Sequence, residues 1–103
     1  MKRRRRYPSR AEALWERYGI TVAQYEAMAK KQKNLCAICL EPESVKRKGR
    51  VRRLAVDHNA ETGEVRGLLC GRCNLAIGAL EHDVDLLKRS VAYLTNPPAR
   101  KIL

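Results

Sequence analysis

No apolar run in this sequence approaches the length of a membrane-spanning segment. The N-terminus, MKRRRRYPSR, also lacks the apolar segment that follows the basic start of a secretory leader. These two absences predict a soluble protein of the cell interior, so the expected location is the cytoplasm. A chain of 103 residues has room for one small domain and buries too little apolar surface to be comfortably stable by packing alone. Such a domain needs an additional staple.

Acidic residues are scarce as well, since 11 Asp and Glu oppose 22 Lys and Arg, and the formal net charge is +11. The basic residues cluster in three blocks, at positions 2–6, 30–33 and 46–53. A surface charge that only maintains solubility is the simpler explanation, but the clustering favours a polyanionic partner. Nucleic acid is the leading candidate, because neutralising phosphates releases counterions and so rewards this arrangement.

Four cysteines form two Cys-x-x-Cys pairs, Cys36–Cys39 and Cys70–Cys73. Composition alone allows either disulfides or a metal site. The spacing favours structural zinc, because each pair can form a tight turn and the four thiolates can complete a tetrahedron. A disulfide scaffold would normally accompany a secretory leader, which this N-terminus does not resemble.

Apolar periodicity and capping patterns predict an α+β fold around these cysteines. A basic tail expected to be disordered covers residues 1–8, and a single domain covers residues 9–103. Residues 45–53 are expected to form a flexible basic loop. The predicted elements are helices over 10–18 and about 22–33, strands over 54–56 and 65–69, a helix that begins at the second cysteine pair, and a final helix from about Asp83 to Asn96.

Three polar residues flank the cysteine module. Asp57 and His58 end the first predicted strand, and Asn74 directly follows Cys73. Asp and Asn offer oxygen ligands that leave a cation such as Mg²⁺ most of its positions for water and substrate phosphate, and an imidazole could take a proton from water. Taken singly, Asp57 could cap a turn, His58 could be a polar rim residue and Asn74 could cap a helix. Their joint occurrence on a basic, cysteine-stapled chain favours phosphodiester cleavage.

At these positions the sequence resembles the recombination endonuclease VII family of phage and prophage nucleases, within the HNH or ββα-metal superfamily. The resemblance covers most of the chain. It is densest over Val56-Asp57-His58, Thr62-Gly63 and the run VRGLLCGRCN at 65–74. Upstream it includes Tyr25-Glu26-Ala27 and the run LCAIC at 35–39.

The resemblance implies a small zinc-stapled ββα-metal domain, treble-clef-like, with two N-terminal helices and a C-terminal helix. It also implies metal-dependent DNA cleavage, either nicking or double-strand cutting, in the host-cell cytoplasm if the protein is phage-encoded. A homodimer is a further option, since the best-known family member acts as a dimer. In the implied site, Asp57 and Asn74 would hold a catalytic Mg²⁺ or Mn²⁺, His58 would be the general base, and Cys36, Cys39, Cys70 and Cys73 would bind a structural zinc ion.

Contacts with DNA are expected from the basic tail, from the basic loop and from two arginines beside the site. The predicted contact residues are Lys2, Arg3, Arg4, Arg5, Arg6, Lys46, Arg47, Lys48, Arg50, Arg52, Arg53, Arg66 and Arg72.

One position departs from the family pattern. Family sequences usually read Asp-His-x-His where this chain has Asp57-His58-Asn59-Ala60. Alanine can neither donate to a phosphate nor ligate a cation, so weakened cleavage is predicted, and Ala60 is interpreted as a natural loss or as an inactivating substitution. His82 is not an obvious replacement, because a continuous helix would place it ~12 Å from Asn74, although the chain could bend near Gly78.

Two other functions remain open on the sequence. A zinc-stapled module that binds DNA without cutting it would explain Ala60 and the basic tail. An RNA- or ribosome-associated zinc protein would explain the charge and the cysteines, but it gives no reason for Asp57, His58 and Asn74 to occur together.

Overall fold

The computed structural model describes residues 7–103 as a small α+β structure. The basic tail predicted for residues 1–8 therefore lies largely outside the described residues. The helices are α1 (Arg10–Tyr18), α2 (Val22–Lys31), α3 (Gly71–Ala79) and α4 (Val84–Thr95), followed by a 3₁₀ turn at Pro98–Lys101. Two antiparallel pairs of strands join β1 (Lys46–Arg47) with β2 (Arg50–Val51), and β3 (Ala55–His58) with β4 (Val65–Leu69).

Side-chain caps determine where α1 and α2 begin. Ser9 accepts a hydrogen bond from the Glu12 backbone N–H at 3.2 Å, and Thr21 and Gln24 form a reciprocal capping box. Gly19 ends α1 with a φ of 68°, a left-handed conformation that costs glycine no steric strain. The starting points predicted for both helices are confirmed, although α2 ends slightly before the predicted boundary.

Two segments differ from the sequence prediction. The basic residues 45–53, predicted to form a flexible loop, include the hairpin β1–β2. Its turn residues Lys48 and Gly49 have φ values of 52° and 77°, as a two-residue type I′ turn requires. Strand β3 begins one residue later than predicted and continues to His58, so Asp57 lies within the strand.

The pairing of β3 with β4 contains one irregularity. Asp57 pairs with Gly67, whereas the next residue, His58, pairs with Val65. Arg66 is therefore the extra residue of a β-bulge, a feature that bends a strand and redirects a side chain.

Helix α2 is fastened to β4 by one side chain. The Gln32 amide nitrogen donates to the Leu68 carbonyl at 2.9 Å, and its oxygen accepts from the Leu68 N–H at 3.0 Å. A Cβ at Gly67 would lie 3.3 Å from that same amide oxygen, so the missing side chain allows the close approach. These contacts hold β4 in place beside the cysteines.

The core is small and includes the cysteines. Apolar residues from α1, α2, β3 and β4 form one buried cluster with three of the four cysteines, and Cys39 packs against this cluster. The buried members are Leu14, Ile20, Tyr25, Ala29, Cys36, Leu54, Val56, Leu68, Leu69, Cys70 and Cys73. The staple predicted from chain length thus forms part of the core.

Helix α4 contributes no buried residue to this core. It begins at the Asp83 cap, whose carboxylate accepts the Leu86 N–H at 3.0 Å, and it leaves Val84, Val91 and Leu94 exposed. In the described part of the chain, no helix combines the length and the apolar character needed to cross a bilayer.

Candidate active site

The four cysteine sulfurs lie within 4.8 Å of one another, and none forms a disulfide. The sulfurs of Cys39 and Cys70 are 3.8 Å apart. A Zn–S bond of about 2.3 Å places neighbouring sulfurs of a tetrahedron ~3.8 Å apart. The cluster could therefore hold a zinc ion, as the spacing of the two pairs predicted.

Each Cys-x-x-Cys pair is closed by its own backbone. The Ile38 N–H points at the Cys36 sulfur and the Cys73 N–H points at the Cys70 sulfur, both at 3.4 Å. Burial opposes ionisation of Cys36, but the N–H groups and the thiol around it lower its pKa to about 6. Burial and the neighbouring thiols raise the pKa of Cys73 to about 12. Ionising all four thiols at this separation therefore requires a cation between them, which suits a zinc ion.

A buried carboxylate joins the first cysteine pair to helix α3. Glu43 accepts hydrogen bonds from the backbone N–H groups of Ser44 at 2.9 Å, Val45 at 3.0 Å and Gly71 at 2.7 Å. Burial favours the protonated form, but these donors outweigh it and lower the pKa of Glu43. Gly71 opens α3, so Glu43 fixes the start of the helix that carries the second cysteine pair.

We expect Glu43→Ala to lower the free energy of unfolding of the zinc-loaded protein by about 1 to 3 kcal/mol, because buried donors lose their acceptor. The pKa of Glu43 is lowered on folding, so its contribution is fully present above the ordinary pKa of about 4.3 and disappears as pH falls through the folded value. Urea unfolding at pH 7 measures the first effect, and a series of lower pH values at which metal analysis still finds zinc bound measures the second.

The exposed Glu41 provides the matched control, since Glu41→Ala removes a carboxylate two residues away. The difference between the Glu43 variant and its parent should shrink in acid. A constant difference across this pH range would show that the carboxylate charge of Glu43 is not what stabilises the fold.

Asp57 is buried on β3 and is held by the bulge residue of β4. Arg66 Nε donates to Asp57 Oδ2 at 2.7 Å, and Arg66 Nη2 donates to Asp57 Oδ1 at 3.0 Å. The hydrogen bonds that Asp57 accepts, and its negative charge, raise the pKa of Arg66 above the ordinary range. Asp57 is therefore a buried carboxylate whose partner is the positively charged guanidinium of Arg66.

His82 joins this pair from the far end of α3. Its Nδ1 lies 2.9 Å from Arg66 Nη2, and its Nε2 lies 3.9 Å from the position a Gly78 Cβ would occupy. Asn74 precedes Gly78 by four residues, so the two share one face of α3 about one turn apart. Helix α3 packs against β3, and Asn74 lines a pocket together with Ala55, which lies two residues before Asp57 on that strand. The Asn74 side chain makes no hydrogen bond within residues 7–103.

His58 is oriented by an aromatic contact with α1. The rings of Tyr18 and His58 meet edge to face, with centroids 5.2 Å apart and an interplanar angle of 64°. Within residues 7–103 the imidazole nitrogens of His58 make no hydrogen bond, so a nitrogen is available to accept a proton.

Tyr18 also lines a basic groove of about 1070 Å³ between α1 and the hairpin β1–β2. Among the described residues that line it, none is acidic. Five predicted DNA contacts lie along this groove, together with two arginines of α1. These seven basic residues are Arg10, Arg17, Arg47, Lys48, Arg50, Arg52 and Arg53.

The sequence model of the recombination endonuclease VII family matches residues 11–96. The chain belongs to this family. Two relatives, each named gene 59 protein, come from Mycobacterium phages D29 and L5 and are 38% and 37% identical over 101 residues. Each alignment covers 92% of this chain and 58% of the relative, so the chain spans less than two thirds of their length. No solved structure matches it.

The other predicted DNA contacts of this endonuclease VII family member lie elsewhere. Lys46 is exposed in β1 but does not line the groove, and Arg66 is paired with Asp57. Arg72 lies against the sulfurs of Cys39 and Cys73, which raise its pKa. The contacts predicted in the tail, Lys2, Arg3, Arg4, Arg5 and Arg6, lie outside the described residues.

Ala60, where the endonuclease VII family usually has a second histidine, is exposed in the turn that follows β3. The Asn59 side chain fixes this turn by accepting the N–H groups of Glu61 at 2.9 Å and Thr62 at 3.3 Å. Strand β3 ends at His58, so no extended backbone places position 60 on the same side as His58.

Four residues of the site are not identified by the sequence alone. The sequence patterns mark Tyr18 only as an apolar residue of a helix, and they do not single out Arg10 and Arg17. A continuous helix would place His82 too far from Asn74. Helical spacing could have indicated the two arginines, because they lie seven positions apart on α1. No local signal indicates that Tyr18 meets His58, since β3 lies forty residues later in the chain.

Proposed function

We propose that this chain is a metal-dependent DNA endonuclease of the HNH type that nicks or cuts the phosphodiester backbone through a water activated by His58. The observation that carries the proposal is the position of Tyr18, which lines the basic groove and also contacts His58. A nucleic-acid backbone bound in the groove would pass beside the imidazole. Membership of the endonuclease VII family supports this interpretation.

The residues present fit a divalent cation. Asp57 is a buried carboxylate already paired with a cation, and Asn74 adds an amide oxygen whose side chain makes no hydrogen bond within residues 7–103. Oxygen donors of this kind suit Mg²⁺ or Mn²⁺. When bound, such an ion supplies positive charge where charge develops on the phosphate and the leaving oxygen.

Side chains of the protein itself would accept the proton and bind the phosphates. The His58 imidazole accepts the proton of the attacking water, and Tyr18 keeps the ring from turning away. The groove arginines hold the phosphates on either side of the scissile bond, which sets position but not base sequence. We take residues 9–103 as one domain that acts in the cytoplasm of a host cell, an interpretation that rests on the phage relatives.

Incubation of supercoiled plasmid with the zinc-loaded protein tests this proposal. Nicked or linear product is expected with Mg²⁺ or Mn²⁺, and none with EDTA. The second candidate is a DNA-binding module that does not cut, favoured because Ala60 replaces a family histidine and Arg66 engages both oxygens of Asp57. Tight binding without any product under either metal would support that candidate.

DNA affinity is expected to depend strongly on salt and to come from the groove. Replacing Arg47, Arg50 and Arg53 with Gln should reduce the slope of log affinity against log salt by roughly one unit for each phosphate that is no longer neutralised. Fluorescence anisotropy at several salt concentrations measures this slope. As control, replacing Lys30, Lys31 and Lys33 removes the same charge outside the groove. Equal reductions in both variants would show that net charge, and not the groove, determines binding.

Ala60→His should raise metal-dependent cleavage, because an added imidazole in the turn after His58 could donate to the phosphate. A gain of about a hundredfold is expected, the lower end of the range for a positioned proton-transfer group. Zinc content and DNA affinity should change little. If the Ala60→His protein cleaves no faster under Mg²⁺ or Mn²⁺, position 60 takes no part in catalysis in this chain.

We also propose that the chain forms a homodimer through α4. Its exposed residues Val84, Val91 and Leu94 form an apolar surface that the described core leaves uncovered. Sedimentation equilibrium of the parent and of Val91→Asp tests this, and a parent that remains monomeric at micromolar concentration would contradict it.

A further inference from the structure

Three lone-pair atoms surround one nitrogen of Arg66. Asp57 Oδ1 lies 3.0 Å from Arg66 Nη2, the His58 carbonyl oxygen lies 3.4 Å away and His82 Nδ1 lies 2.9 Å away. A guanidinium has donors but no acceptor, so His82 Nδ1 must accept and the ring proton must be on Nε2. A carboxylate, a carbonyl and an imidazole thus all direct lone pairs at Arg66 Nη2, a nitrogen of a positively charged group.

An unusual backbone brings His82 to this point. Helix α3 ends at Ala79, and both Glu81 and His82 have left-handed φ values, 57° and 54°. Such values are uncommon outside glycine. The His82 N–H donates to the Ile77 carbonyl at 2.9 Å, which turns the chain back along α3. Gly78 has no side chain where the imidazole passes. The reversal therefore returns an imidazole to the face of α3 that carries Asn74.

We propose that His82 is a third side-chain ligand, with Asp57 and Asn74, of the divalent cation at this site, and that Arg66 holds the cation's place until it binds. The inference rests on the proposed function, which requires such a cation. A divalent ion attracts the Asp57 carboxylate more strongly than a guanidinium does. The Arg66 side chain is 33% exposed and can move out toward solvent or a phosphate. His82 thereby supplies the second imidazole that position 60 lacks.

An imidazole ligand has a measurable signature in metal preference. Mg²⁺ strongly prefers oxygen ligands, whereas Mn²⁺ accepts nitrogen more readily. If His82 only braced Arg66, its replacement would leave the preference between the two metals unchanged. If His82 is a ligand, its loss lowers Mn²⁺ affinity more than Mg²⁺ affinity.

The test measures Mn²⁺ binding to the zinc-loaded protein without DNA, by the loss of the free-ion electron paramagnetic resonance signal, with Mg²⁺ as competitor. His82→Asn is the informative variant, because asparagine tolerates the left-handed backbone but is too short to replace the ring. We expect Mn²⁺ affinity to fall about tenfold or more, with a smaller change for Mg²⁺. The matched control Glu81→Asn, at the neighbouring left-handed position, should bind Mn²⁺ like the parent.

The variant Arg66→Met tests independently whether the Arg66 charge competes with the cation. It removes the competing charge and keeps most of the side-chain length, so Mn²⁺ affinity without DNA should rise about tenfold. Unchanged Mn²⁺ affinity in His82→Asn, or equal reductions for Mn²⁺ and Mg²⁺, would overturn the inference, as would weaker binding in Arg66→Met.

The outcome is separable from the proposed function. A parent protein that cuts plasmid while His82→Asn binds Mn²⁺ normally would refute His82 as a ligand and leave the nuclease proposal standing. If His82→Asn binds Mn²⁺ more weakly than the parent, but the parent never cuts DNA, His82 is established as a ligand and the nuclease proposal is refuted.

Discussion

Removal of zinc is expected to unfold the protein. The cysteine cluster lies inside the core, where Cys36 and Leu68 are both 0% exposed. Structural zinc contributes about 10 to 16 kcal/mol of binding free energy in small metal domains, as much as the whole stability of an ordinary domain. Circular dichroism during chelation, together with metal analysis of the folded protein, should show loss of structure and one zinc ion per chain.

A cysteine variant should reproduce this loss without a chelator. Cys39→Ser removes one sulfur ligand, whereas Ala37→Ser introduces the same residue at an exposed position within the same Cys-x-x-Cys pair. We expect the first variant to be largely unfolded and the second to melt close to the parent. Purified protein without zinc, or with a mass showing two disulfides, would refute the zinc assignment.

Replacement of His58 with alanine is expected to lower the cleavage rate by ~10²- to 10⁴-fold, the usual cost of losing a positioned general base. In the proposed mechanism the imidazole acts on water, and His58 is not part of the core cluster, so zinc content and DNA affinity should stay near the parent values. Single-turnover cleavage of labelled duplex with Mn²⁺ measures the rate, and anisotropy with EDTA measures affinity.

The turn after β3 offers a control for this variant. Glu61→Ala changes an exposed side chain three residues after His58 and should cleave like the parent. Tyr18→Leu should fall between the two, because the imidazole remains but loses its edge-to-face partner. A His58→Ala protein that cleaves at the parent rate would move the general base to another residue, with His82 the first to examine.

The geometry also bears on how metal and DNA binding are ordered. Arg66 engages Asp57 through two hydrogen bonds. Arg66 is not among the residues that line the groove, but a phosphate that reached it would offer an alternative anion and would free Asp57 for the proposed cation. Under this scheme DNA binding raises metal affinity, and by linkage the metal raises DNA affinity by the same factor.

Local signals in the sequence determined much of the fold. The Ser9 cap and Gly19 define α1, the capping box at Thr21 defines the start of α2, and the apolar run of β4 has the predicted bounds. Each depends on residues within a few positions of one another, where backbone preference and hydrogen bonding act directly. The cysteine cluster was predictable for a related reason. Each Cys-x-x-Cys pair is a short local turn, and the fold only has to bring the two turns together.

Only the tertiary structure decided how the site is assembled. Tyr18 meets His58, and α1 forms one wall of the basic groove, because the helix pair packs on β3. Arg66 reaches Asp57 because strand pairing contains a bulge, and no propensity in the sequence indicates where a register shifts. His82 returns to α3 through left-handed conformations that non-glycine residues seldom adopt, so they become favourable only when surrounding contacts offset the strain. These contacts join residues distant in sequence, and their energies are set by packing and not by local preference.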